Sequence, residues 1–300
     1  MKNELLFIFL FMIIFISGCT IRSNLEIPYD DNAIKLDNFL IQKQVRPEKT
    51  VFIDFSVVNQ VENPVKNLDI KISNTGGFTI EKISCEDGTS NENGCSYDKL
   101  DSLDAKDISF LLRAPTREEL GFVDPFESEI TITVEYDYQG ESIVVFPVLG
   151  YKETTERHMK IGQSHGPIHV DIKPGFLLKY EENGRTVTEK DWATKEVPFD
   201  IEVSVNNVGS LGSSYEYPNI ELNSFEIELK NLKVDRSTEN SCDLDGDTIL
   251  TPKETISVPT ELPLICTINP ISDPGKITAK YSYRYKFIKK ETITITEKTF

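Results

Sequence analysis

Apolar and polar residues alternate along this chain with a period of two, most plainly at Val51, Ile53, Phe55 and Val57, where Asp54 and Ser56 take intervening places. An extended backbone turns successive side chains to opposite faces, so such a run is a strand with one face buried and one wet. The pattern returns at Val197, Phe199, Ile201, Val203 and Val205, with Asp200, Glu202 and Ser204 turned outward. Helical periodicity is nearly absent, and only Thr116 to Leu120 and the charged stretch Tyr151 to Ile161 read as short turns or helix. This patterning predicts an all-β fold of antiparallel sandwiches.

The second half repeats the first. Phe55 and Val203 lie 148 residues apart, Ile108 and Ile256 also 148, and Ile130 and Ile277 147. Three strands that hold nearly one offset across intervening loops point to internal duplication. About seven short strands are expected in the first half, beginning near Ile34, Val51, Val65, Phe78, Ile108, Ile130 and Ile143. Thr75-Gly76-Gly77 and Gln139-Gly140 read as turns, and Ser96 to Asp107 as an ordinary loop. Residues 150–164 read as a linker between sandwiches at 33–149 and 165–300.

Twelve apolar residues, Leu5 to Ile16, follow the Met-Lys-Asn start. The run is too short for a membrane-spanning helix, which needs ~20 residues, and suits the core of a secretion signal. Ile16-Ser17-Gly18-Cys19 resembles a lipobox, which implies a signal peptide at 1–18, a lipid on Cys19 and a polar tether over 19–32. An uncleaved signal anchor is the alternative. Both readings place the body outside the cytoplasm, held at the membrane.

The chain carries 49 acidic and 32 basic residues, a net charge of -17. That charge repels nucleic acid phosphates, so nucleic acid is excluded as a partner. Apart from Cys19, four cysteines remain: Cys85, Cys95, Cys242 and Cys266. In an exported chain an even number predicts disulfides, and the economical pairing keeps Cys85 with Cys95 and Cys242 with Cys266. A four-cysteine zinc site wants paired short spacings that are missing here. Cys95 precedes Ile108 by 13 residues and Cys242 precedes Ile256 by 14, so both stand at the same loop entrance of the repeat.

Phe55-Ser56-Val57-Val58-Asn59, Leu103 to Ile108 and Ile130 to Tyr136, echoed by Val203 to Asn207, Leu250 to Ile256 and Ile277 to Tyr283, resemble immunoglobulin-like modules of prokaryotic surface proteins, notably the CARDB type. Asn207-Val208-Gly209 fits that family's Asn-x-Gly turn, whereas Asn59-Gln60-Val61 departs from it. The resemblance implies two tandem immunoglobulin-like sandwiches and a role in adhesion, spacing or scaffolding. It carries over no catalytic residue.

Asp243, Asp245, Asp247 and Glu254 occupy positions 1, 3, 5 and 12 of a calcium loop, the spacing that wraps carboxylates round one hard cation;. Position 6, a glycine in an EF-hand, is Thr248, and the competing reading is a solvated acidic turn;. His165 and His169 share a parity and so face one side of a strand, but Pro167 interrupts ladder bonding there and nothing supplies the full ligand set a metal demands, so they read as linker or edge-strand histidines;. Tyr281, Tyr283, Tyr285 and Phe287 form an aromatic file whose opposite parity is Ser282, Arg284 and Lys286, the signature of a core-facing strand;. Nucleophile elbows, zinc-protease histidine pairs and phosphate loops are absent from the sequence. The expectation is therefore a non-enzymatic, lipid-anchored surface module with no cofactor, whose partner is an envelope or surface protein. A calcium-dependent or ligand-sensing module using Asp243 to Glu254, and a hydrolase with a carboxylate pair, are the alternatives.

Overall fold

The computed structural model describes residues 31–297 apart from 122, 151–156, 177, 183–184, 210–214, 217–219 and 238–241. The signal segment, Cys19 and most of the tether lie outside the described residues. The fold is all-β, and none of its elements is a helix among the described residues.

The strands that build it, in chain order, are β1 (Ile34–Ile41), β2 (Thr50–Asn59), β3 (Val65–Asn74), β4 (Thr79–Cys85), β5 (Gly94–Leu100), β6 (Ala105–Arg113) and β7 (Phe126–Phe146) in the first half. The second half supplies β8 (Lys160–Gln163), β9 (Ile168–Pro174), β10 (Phe199–Asn207), β11 (Ile220–Lys230), β12 (Leu232–Val234), β13 (Leu244–Asp245), β14 (Ile249–Pro252), β15 (Leu264–Pro270) and β16 (Gly275–Ile295). One outer sheet has the order β1-β2-β6-β4, and a second repeats it as β9-β10-β15-β12. A third, larger sheet runs β13-β14-β11-β16-β7-β3-β5 and belongs to both halves.

The two halves join because β7 and β16 pair antiparallel over their whole length, from Phe126 opposite Ile295 to Phe146 opposite Gly275. Cross-strand neighbours point the same way. Cys95 is in line with Ile70 and Val134, and its disulfide to Cys85 places the first outer sheet over that face. Phe146, of the same parity as Val134, meets Phe176 and Phe199 at 4.9 and 5.7 Å, so the second outer sheet covers the same face. The core that results is one connected hydrophobic cluster reaching from Ala33 to Ile295. Glu135, Asp137, Gln139 and Glu141 on β7, with Lys280, Ser282, Arg284 and Lys286 on β16, point to the opposite, uncovered face.

Several expectations are corrected. Gln139-Gly140 is not a turn, and the strands expected near Ile130 and Ile143 are one continuous strand. Gly140 is needed for close approach, since a Cβ there would lie 2.7 Å from the Tyr281 ring;. Ser96 to Asp107 is not a simple loop, because Ser96 to Leu100 belong to β5. The second-half counterpart of β6 is β15, not the segment at Ile256: Phe55 pairs with Ile108 as Val203 pairs with Leu264. Part of the expected linker, Lys160–Gln163, is a strand paired to β7. Thr116 to Leu120 is a turn closed by a capping box, in which the Glu119 amide donates to Thr116 Oγ1 and the Thr116 amide to Glu119 Oε2;.

Candidate functional site at the seam between the halves

The register of β7 with β16 and the repeat of 147 residues together define a local two-fold axis. Asp137 pairs with Arg284, which is also its equivalent in the repeat, so the axis passes beside them. On the covered face this symmetry brings Tyr136 against Tyr285 and Tyr138 against Tyr283, with ring centroids 5.6 Å apart in both pairs. Tilted pairs at this spacing suit the ring quadrupoles, and the four rings are buried;. The Tyr136-x-Tyr138 and Tyr283-x-Tyr285 doublets were visible in the sequence; their meeting across the axis was not.

A short segment, Ser164 to Ile168, straps the seam. Ser164 exchanges backbone and hydroxyl bonds with Glu141, and the His165 amide and Nδ1 meet the Glu62 carboxylate at 2.9 and 3.0 Å. The Tyr138 hydroxyl donates to the His165 carbonyl, and Tyr281 donates to the Ile168 carbonyl at 3.1 Å. Gly166 has φ of +146°, and a Cβ there would meet the Tyr138 ring at 2.9 Å, so a glycine is required on both counts;. Burial pushes the Tyr281 phenol up to about 12 and holds Tyr138 and Tyr283 above the ordinary range as well. All three phenols stay protonated over the whole physiological range, Tyr138 and Tyr281 as donors, while the buried Tyr283 hydroxyl has no hydrogen-bond partner among the described residues.

The uncovered face carries charge. Arg284 reaches Asp69 and Asp137 at 3.1 Å and Glu135 at 3.3 Å, while Lys286 lies 3.3 Å and Lys71 3.7 Å from Glu135. Burial raises Glu135, but bonds to Lys286 and the charge of Lys71 outweigh it and hold the carboxyl below its usual range. Beside this cluster a trough of about 1270 Å³ crosses the seam, lined by Asn67, Gln139 and Glu141 from one half, by Ser224 and Ser282 from the other, and also by Glu62 and Ser164 at the strap. It can take a polar ligand or an interlocking protein surface.

The remaining candidates are placed as follows. Cys85 is bonded to Cys95, and Cys242 to Cys266. The first disulfide ties an outer sheet to the shared layer, whereas Cys242, two residues before β13, forms an isolated antiparallel bridge with Cys266 of β15. Such bonds persist in an oxidising compartment. The Asp243 to Glu254 segment forms a hairpin of β13 and β14 around Gly246, whose φ is +106°. Asp243 accepts the Ile265 amide at 2.8 Å and Asp247 lies 3.6 Å from Arg236, while Asp245 and Glu254 are exposed. The four carboxylates are not gathered round one point, and among the described residues no group of three or more His, Cys, Asp or Glu is placed to hold a metal. His165 turns to Glu62 and His169 to Asp31, so they do not share a ligand.

No known protein family matches the sequence, and no curated protein does. Among solved structures, the alignment with Salmonella alpha-2-macroglobulin reacted with methylamine has 12% identity and a TM-score of 0.13. It covers 88% of this chain and 17% of that one, so this chain spans under a fifth of that protein, and so slight a likeness carries no argument.

Proposed function

We propose that this is a lipid-anchored, extracytoplasmic surface protein, non-enzymatic, built from two immunoglobulin-like sandwiches fused into one rigid scaffold that presents a surface to an envelope protein. The observation that carries the reading is the full-length pairing of β7 with β16, which replaces a flexible joint by a continuous ladder of backbone hydrogen bonds;. A scaffold or spacer gains from such stiffness, because a partner binds without first ordering a hinge. The outer sheet order, with β2 between β1 and β6, supports the immunoglobulin-like reading of each half;. The two disulfides and the resemblance of Ile16 to Cys19 to a lipobox support an address beyond the cytoplasm;.

Cross-linking on intact cells followed by mass spectrometry tests the role. Recurrent cross-links from Lys280 or Lys66, on the trough-bearing face, to one envelope protein are expected. Intramolecular cross-links alone would overturn the scaffold reading. Intact-mass analysis of membrane-extracted protein tests the anchor: a species that begins at Cys19 with added acyl mass is expected, and one that begins at Met1 without lipid overturns it.

A further inference from the structure

The two strands of the seam carry opposite charge on their uncovered face. At those positions β7 has Glu127, Glu129, Glu135, Asp137 and Glu141 and no base, whereas β16 has Lys276, Lys280, Arg284, Lys286 and Lys290 and no acid. The register sets Glu135 opposite Lys286, Asp137 opposite Arg284 and Glu141 opposite Lys280. Arg284 and Lys286 pair with Asp69, Glu135 and Asp137 of the other half. Opposite charges that face each other across a strand pair stabilise it, and like charges destabilise it. Because the halves repeat about the local two-fold axis, the same backbone ladder would join β7 to the β7 of a second copy, or β16 to another β16;. The offset of the repeat fixes what would then meet. Asp137 would face a second Asp137 and Arg284 a second Arg284, with acid rows side by side in one pair and basic rows in the other.

The covered face discriminates in volume. At the axis it is indifferent, since Tyr136 would face Tyr138 across a β7 pair and Tyr283 would face Tyr285 across a β16 pair, rings against rings as in the native seam. One step outward it is not. Gly140 would face Val134 in a β7 pair and leave the space of the Tyr281 ring unfilled. In a β16 pair Tyr281 would face Phe287, two rings where the native seam has a ring and a glycine. A void and an overpacked site both cost stability. From these two independent observations, one on each face, we infer that the seam is a heterotypic recognition interface. β7 accepts a strand that carries the basic row and the Tyr281 ring of β16, and it rejects a second copy of itself; β16 does the same in reverse. The partner fitted to each half is the unlike half, and chains do not join through like strands.

The test uses the full chain with one row reversed at a time. Glu135→Lys/Asp137→Arg/Glu141→Lys makes both rows basic around the axis, and Lys280→Glu/Arg284→Asp/Lys286→Glu makes both acidic. Amide hydrogen exchange of peptides from β7 and β16 is expected to quicken by about threefold or more in either single reversal, and to return within about twofold of the parent when both are combined. In sedimentation velocity each reversed chain alone is expected to stay monomeric, while an equimolar mixture forms a heterodimer, because each chain finds the unlike row on the other. Both reversed chains remain net negative, so overall charge does not draw them together. Unchanged exchange in the single reversals, exchange not recovered in the combined chain, or a mixture no more associated than its components overturns the inference. If circular dichroism shows that a triple reversal does not fold, Asp137→Arg, Arg284→Asp and the two together repeat the comparison at the axis, and the same exchange criterion decides.

Discussion

At equivalent places the two halves fill the same space with different side chains. Gly140 of β7 stands opposite Tyr281 of β16, and the repeat carries this pair onto Phe287 opposite Val134. On one side of the axis a missing side chain admits a ring whose hydroxyl reaches the Ile168 carbonyl; on the other two apolar side chains share the volume. Next along the same strands, Ser142 opposite Ala279 corresponds to Lys289 opposite Ile132, and the Lys289 ammonium lies 4.7 Å above the Phe39 ring;. The lesson is that the duplicated backbone sets the volume at the seam, while each half chose its own chemistry to fill it.

The largest expected effect breaks the apolar side. Phe287 is fully buried, so Phe287→Ala should lower unfolding stability by about 3–5 kcal/mol, read as a shift of the denaturant midpoint;. Removing one disulfide comes next. Closing the 24-residue separation of Cys242 and Cys266 stabilises by roughly 3.5 kcal/mol on the chain-entropy account. The 10-residue separation of Cys85 and Cys95 gives roughly 2.8 by the same account. Paired Cys→Ser variants should therefore destabilise in that order by calorimetry, and the reverse order would show that the halves differ in more than loop length.

Gly140→Ala should cost about 1–3 kcal/mol by overpacking against Tyr281, and the loss should shrink in a Gly140→Ala/Tyr281→Leu double variant. Additive losses in that cycle would remove the account of Gly140. The same tyrosine gives a pH prediction. Its folded value of about 12 lies above the ordinary 10, so the stability it contributes is complete below pH 10 and is lost as pH rises towards 12;. By pH 11 the loss from Tyr281 alone amounts to roughly 1 kcal/mol, and Tyr281→Phe should flatten the alkaline limb of the stability profile. An unchanged limb would mean that the phenol is not sequestered. Arg284→Gln should cost the least, below about 1 kcal/mol, because its partners are partly exposed and screened;. The difference from the wild-type chain should fade in high salt, and a salt-independent loss would move the role of Arg284 from charge to packing.

Much of the covered face was legible in the sequence. The alternation at Val51 to Val57 and at Phe199 to Val205 told which side chains turn inward, since parity along a strand is a local property, and those residues are buried, whereas Val197, read as part of the same run, precedes the strand and is exposed;. The aromatic file of β16 was readable as core for the same reason. Gly140 misled because a glycine between apolar runs marks either a turn or a close approach, and only the position of the Tyr281 ring distinguishes them;. The match of Ile108 to Ile256 failed because insertions before β15 shift the offset, which parity cannot detect. The trough was out of reach altogether, since Gln139 and Ser282 are distant in sequence and meet only by register.

What the residues settled unaided was the strand character of the chain, the face each strand buries and the doubling of one plan, all of which follow from side-chain order along a local backbone. Which strand lies beside which was decided by the folded molecule. The hydrogen bonds that join β7 to β16 are made by peptide groups common to every residue, so the order of side chains along one strand does not by itself name its neighbour. The same two halves could have stood apart on a linker; their union became visible only when Asp137 met Arg284 across the axis.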